Sequence, residues 1–138
     1  MSLSSPIVSG QAASWILTFA RITMGACFVV YGLSKLKFID GTTAFVGTKL
    51  PFPSLVFWLA VVLETGLGFL MVIGYATRWA ACYFAFHCVF TAFVFHTNFA
   101  SRPQFDHFFA NLALAAGLLY IVATGPGAAA LDNARTRS

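Results

Sequence analysis

Charge is what this sequence has least of. Acids occur four times, at Asp40, Glu64, Asp106 and Asp132, and charged residues make up 9% of the chain, where an average soluble domain carries about 25%. A chain of 138 residues that is 59% apolar has too little polar surface to be a water-soluble domain, because small domains keep a large fraction of their surface exposed. Disorder is excluded as well, since it needs low hydrophobicity and high charge. Paired cysteines are missing: Cys27, Cys82 and Cys88 form no CxxC motif, and Cys82 and Cys88 stand about 120° apart on a helix, so the pattern offers no dithiol. Basic runs are missing too. The net charge of +4 comes from the scarcity of acids, and no basic stripe accompanies the aromatics as a nucleic-acid surface requires. There is no nucleophile–base constellation, phosphate loop, carboxylate pair or strand alternation.

What is present is four apolar segments of about the 20 residues that a spanning helix needs. They cover residues 14–33, 55–74, 79–98 and 108–124, and each ends at polar residues or at glycine and proline. The expected fold is all-α: an integral membrane four-helix bundle over residues 1–138, forming one transmembrane domain. The connection between the second and third segments is so short that they must form an antiparallel hairpin. The stretch 35–53 is longer and mixed. It predicts a short interfacial helix, in preference to a loop, with Phe45, Val46 and Leu50 on the bilayer surface, a start near Asp40 to Thr43 and a stop at Pro51. The first segment is a poor signal peptide, because no Lys or Arg precedes it and Arg21 interrupts it. Four spans place both termini on one side, with Arg78, Arg135 and Arg137, against Lys35, Lys37, Lys49 and Arg102 on the other. The positive-inside balance is close, and cytoplasmic termini are the expectation.

An ionised side chain at mid-helix in hydrocarbon costs at least about 2.5–3.5 kcal/mol, so it normally faces protein and has a partner. That singles out Arg21, Glu64 and His87. Counted from the segment edges, their levels agree within about 5 Å, which predicts an Arg21–Glu64 ion pair. At 100° per residue, Arg21, Gly25, Phe28, Gly32 and Lys35 share one stripe of the first helix. Its glycines imply close helix approach. Glu64 shares a face with Phe57, Ala60, Gly68 and Met71. The pair reads either as a clamp between two helices or as part of a pocket for a ligand or proton. His87 and His96 are about 180° apart on the third helix. The His96 stripe, with Arg78, Cys82, Ala85, Val89 and Ala92, is expected to pack on a neighbour.

A second polar group lies at the opposite membrane edge: Lys35, His96, Asn98, Arg102, Asp106, His107 and Asn111. Solvated interface residues account for it, and no metal site is expected. The alternative is a transition-metal or haem site from His96, His107 and Asp106, for which no HxxxH or CxxC spacing speaks.

Arg21 to Gly25, then Phe28, Gly32 and Lys35, open an ordered set of residues. Leu50, Pro51, Pro53, Leu63, Glu64, Gly66, Gly68, Leu70, Gly74, Thr77 and Arg78 continue it, and Asn111 to Leu114, Gly125-Pro126-Gly127 and Leu131-Asp132 close it. In this order they resemble the DoxX family of small four-helix membrane proteins. The resemblance implies a bacterial inner-membrane protein. It links the chain to a quinone-reducing thiosulfate oxidoreductase subunit and to complexes handling thiol or oxidative stress, without assigning a catalytic role to any residue.

The functional expectation is a redox-linked membrane subunit holding an apolar ligand in an intrabundle pocket, with Arg21, Glu64, His87, Lys35 and Asn111 as ligand-pocket or proton-relay residues. A quinone is the first cofactor considered and a haem the second. Phe28, Phe57, Phe84 and Phe86 would wall the slot, Arg21 or His87 would donate to carbonyls, and Glu64 would orient Arg21 or relay protons. Electrons would come from a redox protein partner or a bound substrate. The other expected contacts are the lipid bilayer and a second copy of the chain, with no nucleic acid. The alternative is a non-enzymatic small-solute carrier or membrane assembly protein using the same polar core.

Overall fold

The computed structural model describes residues 9–135, with the side chain of Arg135 left out; Arg137 lies outside the described residues. Four long helices account for most of it: α1 (Gly10–Ser34), α3 (Pro53–Ile73), α4 (Thr77–Phe95) and α5 (Arg102–Thr124). All four are long and apolar enough to cross a membrane. Between α1 and α3 lie a 3-10 turn (Lys35–Lys37) and the short helix α2 (Ile39–Gly47); a five-residue helix α6 (Leu131–Arg135) follows α5. No strand occurs among the described residues. The protein is therefore an all-α membrane bundle, with a helix where the first connection was ambiguous. α2 packs on α3 and buries Val46, so only part of its apolar side faces outward.

Helix boundaries follow local chemistry. Ser9 caps α1, its hydroxyl accepting from Ala12 N–H at 3.3 Å. Pro53 begins α3, where its missing N–H is harmless. Gly74, with φ of 73°, ends α3: Tyr75 N–H reaches Leu70 O at 2.9 Å and Gly74 N–H reaches Met71 O at 3.2 Å, the pair of hydrogen bonds that closes a helix on a left-handed residue. Only two residues then separate this turn from α4, as the hairpin requires.

α1 packs along α3, and α4 along α5. The α1–α3 seam is the glycine stripe. A Cβ on Gly25 would stand 2.7 Å from Gly68 O, and one on Gly32 would stand 2.5 Å from Thr65 Oγ1. Backbones approach this closely only because those side chains are missing. The expected α1 face is the buried one: Arg21, Gly25, Phe28 and Gly32 are all interior. The two helix pairs close on a shared core of Phe28, Met71, Phe84, Cys88, Leu118 and Ile121 with alanines between. Phe28 and Phe84 stack face to face with centroids 3.7 Å apart. On α4 the inward face runs through Ala81, Phe84, Ala85, Cys88 and Ala92. Cys82 and Val89 of the His96 stripe are exposed, so the packing face lies between the two stripes read from the sequence. Large apolar side chains such as Phe19, Phe69, Trp79, Phe93 and Tyr120 point outward, as lipid-facing positions do.

Candidate functional site

Near the middle of α3, Glu64 is 4% exposed. Its carboxylate is held from two sides. Lys35, at the end of α1, forms an ion pair with Oε2, and His87 Nε2 on α4 stands 3.1 Å from Oε1. The absence of a side chain at Gly32 brings α1 against Glu64 and Thr65, and Lys35 follows almost one turn later on the same stripe, so its flexible stem reaches back to the carboxylate. Tyr83, one turn before His87, stacks on the imidazole with centroids 5.8 Å apart. The side chains of Lys35 and His87 remain 25% and 22% exposed. The result is an interior acid bridging two half-buried nitrogen bases that open to the surroundings, an arrangement able to hold, accept or pass a proton.

Arg21 is not part of it, and the expected Arg21–Glu64 pair is corrected by the structure. Arg21 is fully buried and its guanidinium binds backbone carbonyls: Pro126 O at 2.9 Å, Val72 O at 2.9 Å, and Met71 O and Ala129 O. It lies seven or eight residues along α3 from Glu64, roughly two turns or about 10 Å away. Its role is to tie the C-terminal end of α3, where the helix dipole is negative, to the segment 125–130 that crosses back over the bundle.

That segment is built for the position. Gly127, with φ of 84°, leaves no room for a Cβ, which would meet Thr18 N at 2.5 Å. Ala128 N–H donates to Ser14 O at 3.2 Å and Ala129 N–H to Thr18 Oγ1 at 3.3 Å. Asp132 then accepts from Ala76 N–H at 2.8 Å and Thr77 N–H at 2.9 Å, capping α4 from a distant part of the chain. Asp132 was missed as a cap because only the folded chain brings it there. An open cleft of about 660 Å³ lies between this segment and the start of α1, lined by Ser14, Trp15, Thr124, Pro126, Gly127 and Asn133, among others.

The remaining expected residues divide. Phe28 and Phe84 cover each other's faces, Phe57 is buried, and Phe86 is 69% exposed, so the four do not line one slot. Asn111 donates to His107 O at 2.8 Å on its own helix. At the far membrane edge, His96 and His107 do meet, with centroids 5.1 Å apart, while Asp106 pairs with Arg102 at 3.0 Å. No group of three or more metal-ligating His, Cys, Asp or Glu side chains occurs among the described residues. Burial holds the His96 imidazole below the ordinary histidine range; the hydrogen bond to Gln104 opposes this and neighbouring His107 adds to it.

Four helices of spanning length around an interior carboxylate define a small multi-pass membrane protein. The DoxX family model matches residues 16–97, and the chain belongs to that family. It is 34% identical over 130 residues to the inner membrane protein YphA of Escherichia coli K12, covering 90% of this chain and 93% of that protein. It is likewise 34% identical over 114 residues to the inner membrane protein YqjF of the same organism, covering 83% and 87%. No solved structure matches the chain.

Proposed function

We propose that this protein is a redox-linked subunit of the bacterial inner membrane that binds a quinone-class apolar ligand at the Lys35–Glu64–His87 site. The observation that carries the reading is Glu64, an interior carboxylate bridged to two partly exposed nitrogen groups. Quinone carbonyls take hydrogen bonds from donors such as a lysine ammonium or an imidazole N–H, and two-electron reduction takes up two protons. Lys35 and His87 supply the donors, and Glu64 links them as the proton-holding group. Electrons come from a redox partner protein or a bound substrate. The names of the two relatives support the inner-membrane location.

Solvent extraction of the protein purified in native-lipid discs tests this. The expected result is quinone enriched well above its ratio in bulk lipid, and at least about tenfold less in folded Lys35→Met and Glu64→Gln proteins. Quinone at the bulk ratio in all three would overturn the reading. Recovery of a stoichiometric protein partner without ligand would instead support the carrier or assembly role. The Phe28–Phe84 stack at the bundle centre and the wholly backbone-directed bonding of Arg21 favour that second reading.

Cytoplasmic termini complete the proposal. Reporter fusions after Ser138 should report the cytoplasm, and fusions within residues 41–49 the opposite side; the reverse pattern would refute the orientation.

A further inference from the structure

At the membrane edge away from the chain termini, α4 ends and α5 begins within a few residues. His96 is the first residue past α4, and His107 lies in the second turn of α5. Their rings come together across the loop, centroids 5.1 Å apart and planes inclined by 36°. Gln104, one turn before His107, places its Oε1 2.9 Å from His96 Nδ1. The amide oxygen can only accept, so His96 carries its proton on Nδ1 and presents Nε2 as a lone pair.

We propose that His96 and His107 bind a divalent first-row transition cation of the zinc type, with water filling its other positions. Three observations converge on this. With Zn–N bonds of about 2.0–2.1 Å and a tetrahedral angle at the metal, two ligating imidazoles have ring centroids about 5 Å apart, the separation found here. Metal-bound histidines almost always donate their other N–H to an oxygen that fixes tautomer and ring orientation, and Gln104 does this for His96. The loop that joins the two histidines is also braced by ring contacts: Phe99 packs edge-on against Phe105 and Phe108, with centroids 6.2 and 5.0 Å away. Asp106 is engaged by Arg102 on the exposed side, so the site rests on two histidines rather than on the triad that sequence proximity suggests. It is separate from the Glu64 site and does not depend on the function proposed there.

Tag-free protein in detergent, stripped with chelator and titrated with Zn²⁺ and with Co²⁺, tests the proposal. The expected result is one equivalent bound per chain, a cobalt spectrum with nitrogen ligation, and a zinc-dependent rise in the thermal midpoint. His96→Ala and His107→Gln should each weaken binding at least about tenfold. Gln104→Leu should weaken it by about 10–100-fold through loss of the orienting bond, and Asp106→Asn should leave it unchanged. His107 is exposed, so His107→Gln keeps the fold, which metal-free thermal unfolding verifies. No stoichiometric uptake by the wild-type protein at 100-fold molar excess, or uptake equal in wild type and His107→Gln, would overturn the assignment.

Discussion

Arg21→Met should be among the most destabilising single changes in this protein, lowering unfolding stability in detergent by about 3 kcal/mol or more, because several hydrogen bonds from one charged group, worth about 1.5–3 kcal/mol each, are lost together. The side chain is fully buried and reaches carbonyls on two separate pieces of chain, Met71 and Val72 at the end of α3 and Pro126 and Ala129 beyond α5. Methionine fills part of the volume but donates nothing, leaving buried acceptors unpaired. Arg21→Lys keeps the charge yet lacks the planar fork that serves several acceptors together, so it should recover only part of the loss. Limited proteolysis supplies the second readout: residues 125–130 should become cleavable in Arg21→Met while α3 and α4 stay protected. Because Arg21 and Glu64 stand about two helical turns apart, Arg21→Met and Glu64→Gln should add within about 0.3–0.5 kcal/mol. Strong coupling between them, or normal stability and protection in Arg21→Met, would contradict the bonding described here.

The geometry also shows what periodicity can and cannot yield. The stripe Arg21, Gly25, Phe28, Gly32 and Lys35 was legible because helical repeat and missing side chains are local properties, and that face is the one that packs. The partner of Arg21 was not legible. Depth had to be counted from the edge of an apolar segment, yet α1 with its 3-10 extension runs over the 28 residues Gly10–Lys37, about 42 Å of helix against a hydrocarbon core of about 30 Å. An origin displaced along so long a helix put Arg21 level with Glu64, when the residue that reaches Glu64 is Lys35. Lysine length added to the error, since Lys35 belongs by position to the membrane edge and by its ammonium to the interior. Asp132 and Gln104 act on helices other than their own or on a residue across a loop, and single-sequence patterns carry no signal for such pairings.

Lys35 and Glu64 should show strong coupling where Arg21 and Glu64 show none. Lys35→Met removes the cation from an interior carboxylate and leaves His87 as its remaining side-chain partner, a loss expected to cost about 3 kcal/mol, since an uncompensated buried charge is left behind. Glu64→Gln should be milder, about 1–2 kcal/mol. Glutamine still offers an oxygen to His87, and Lys35, already 25% exposed, can swing its ammonium out to the interface. The double change Lys35→Met with Glu64→Gln leaves neither charge and should be no less stable than Lys35→Met alone, giving a coupling energy of about 1–3 kcal/mol in the thermal-unfolding cycle. Stability regained in this way separates clamp from function. If the three residues served only to hold α1, α3 and α4 together, the folded double variant would still yield quinone as the wild type does, with only its stability lowered. If they hold a proton beside a bound quinone, the double variant folds but yields no quinone on extraction. Additive single changes would show that the ammonium and carboxylate do not interact in the membrane-extracted protein, and the site centred on Glu64 would fall with them.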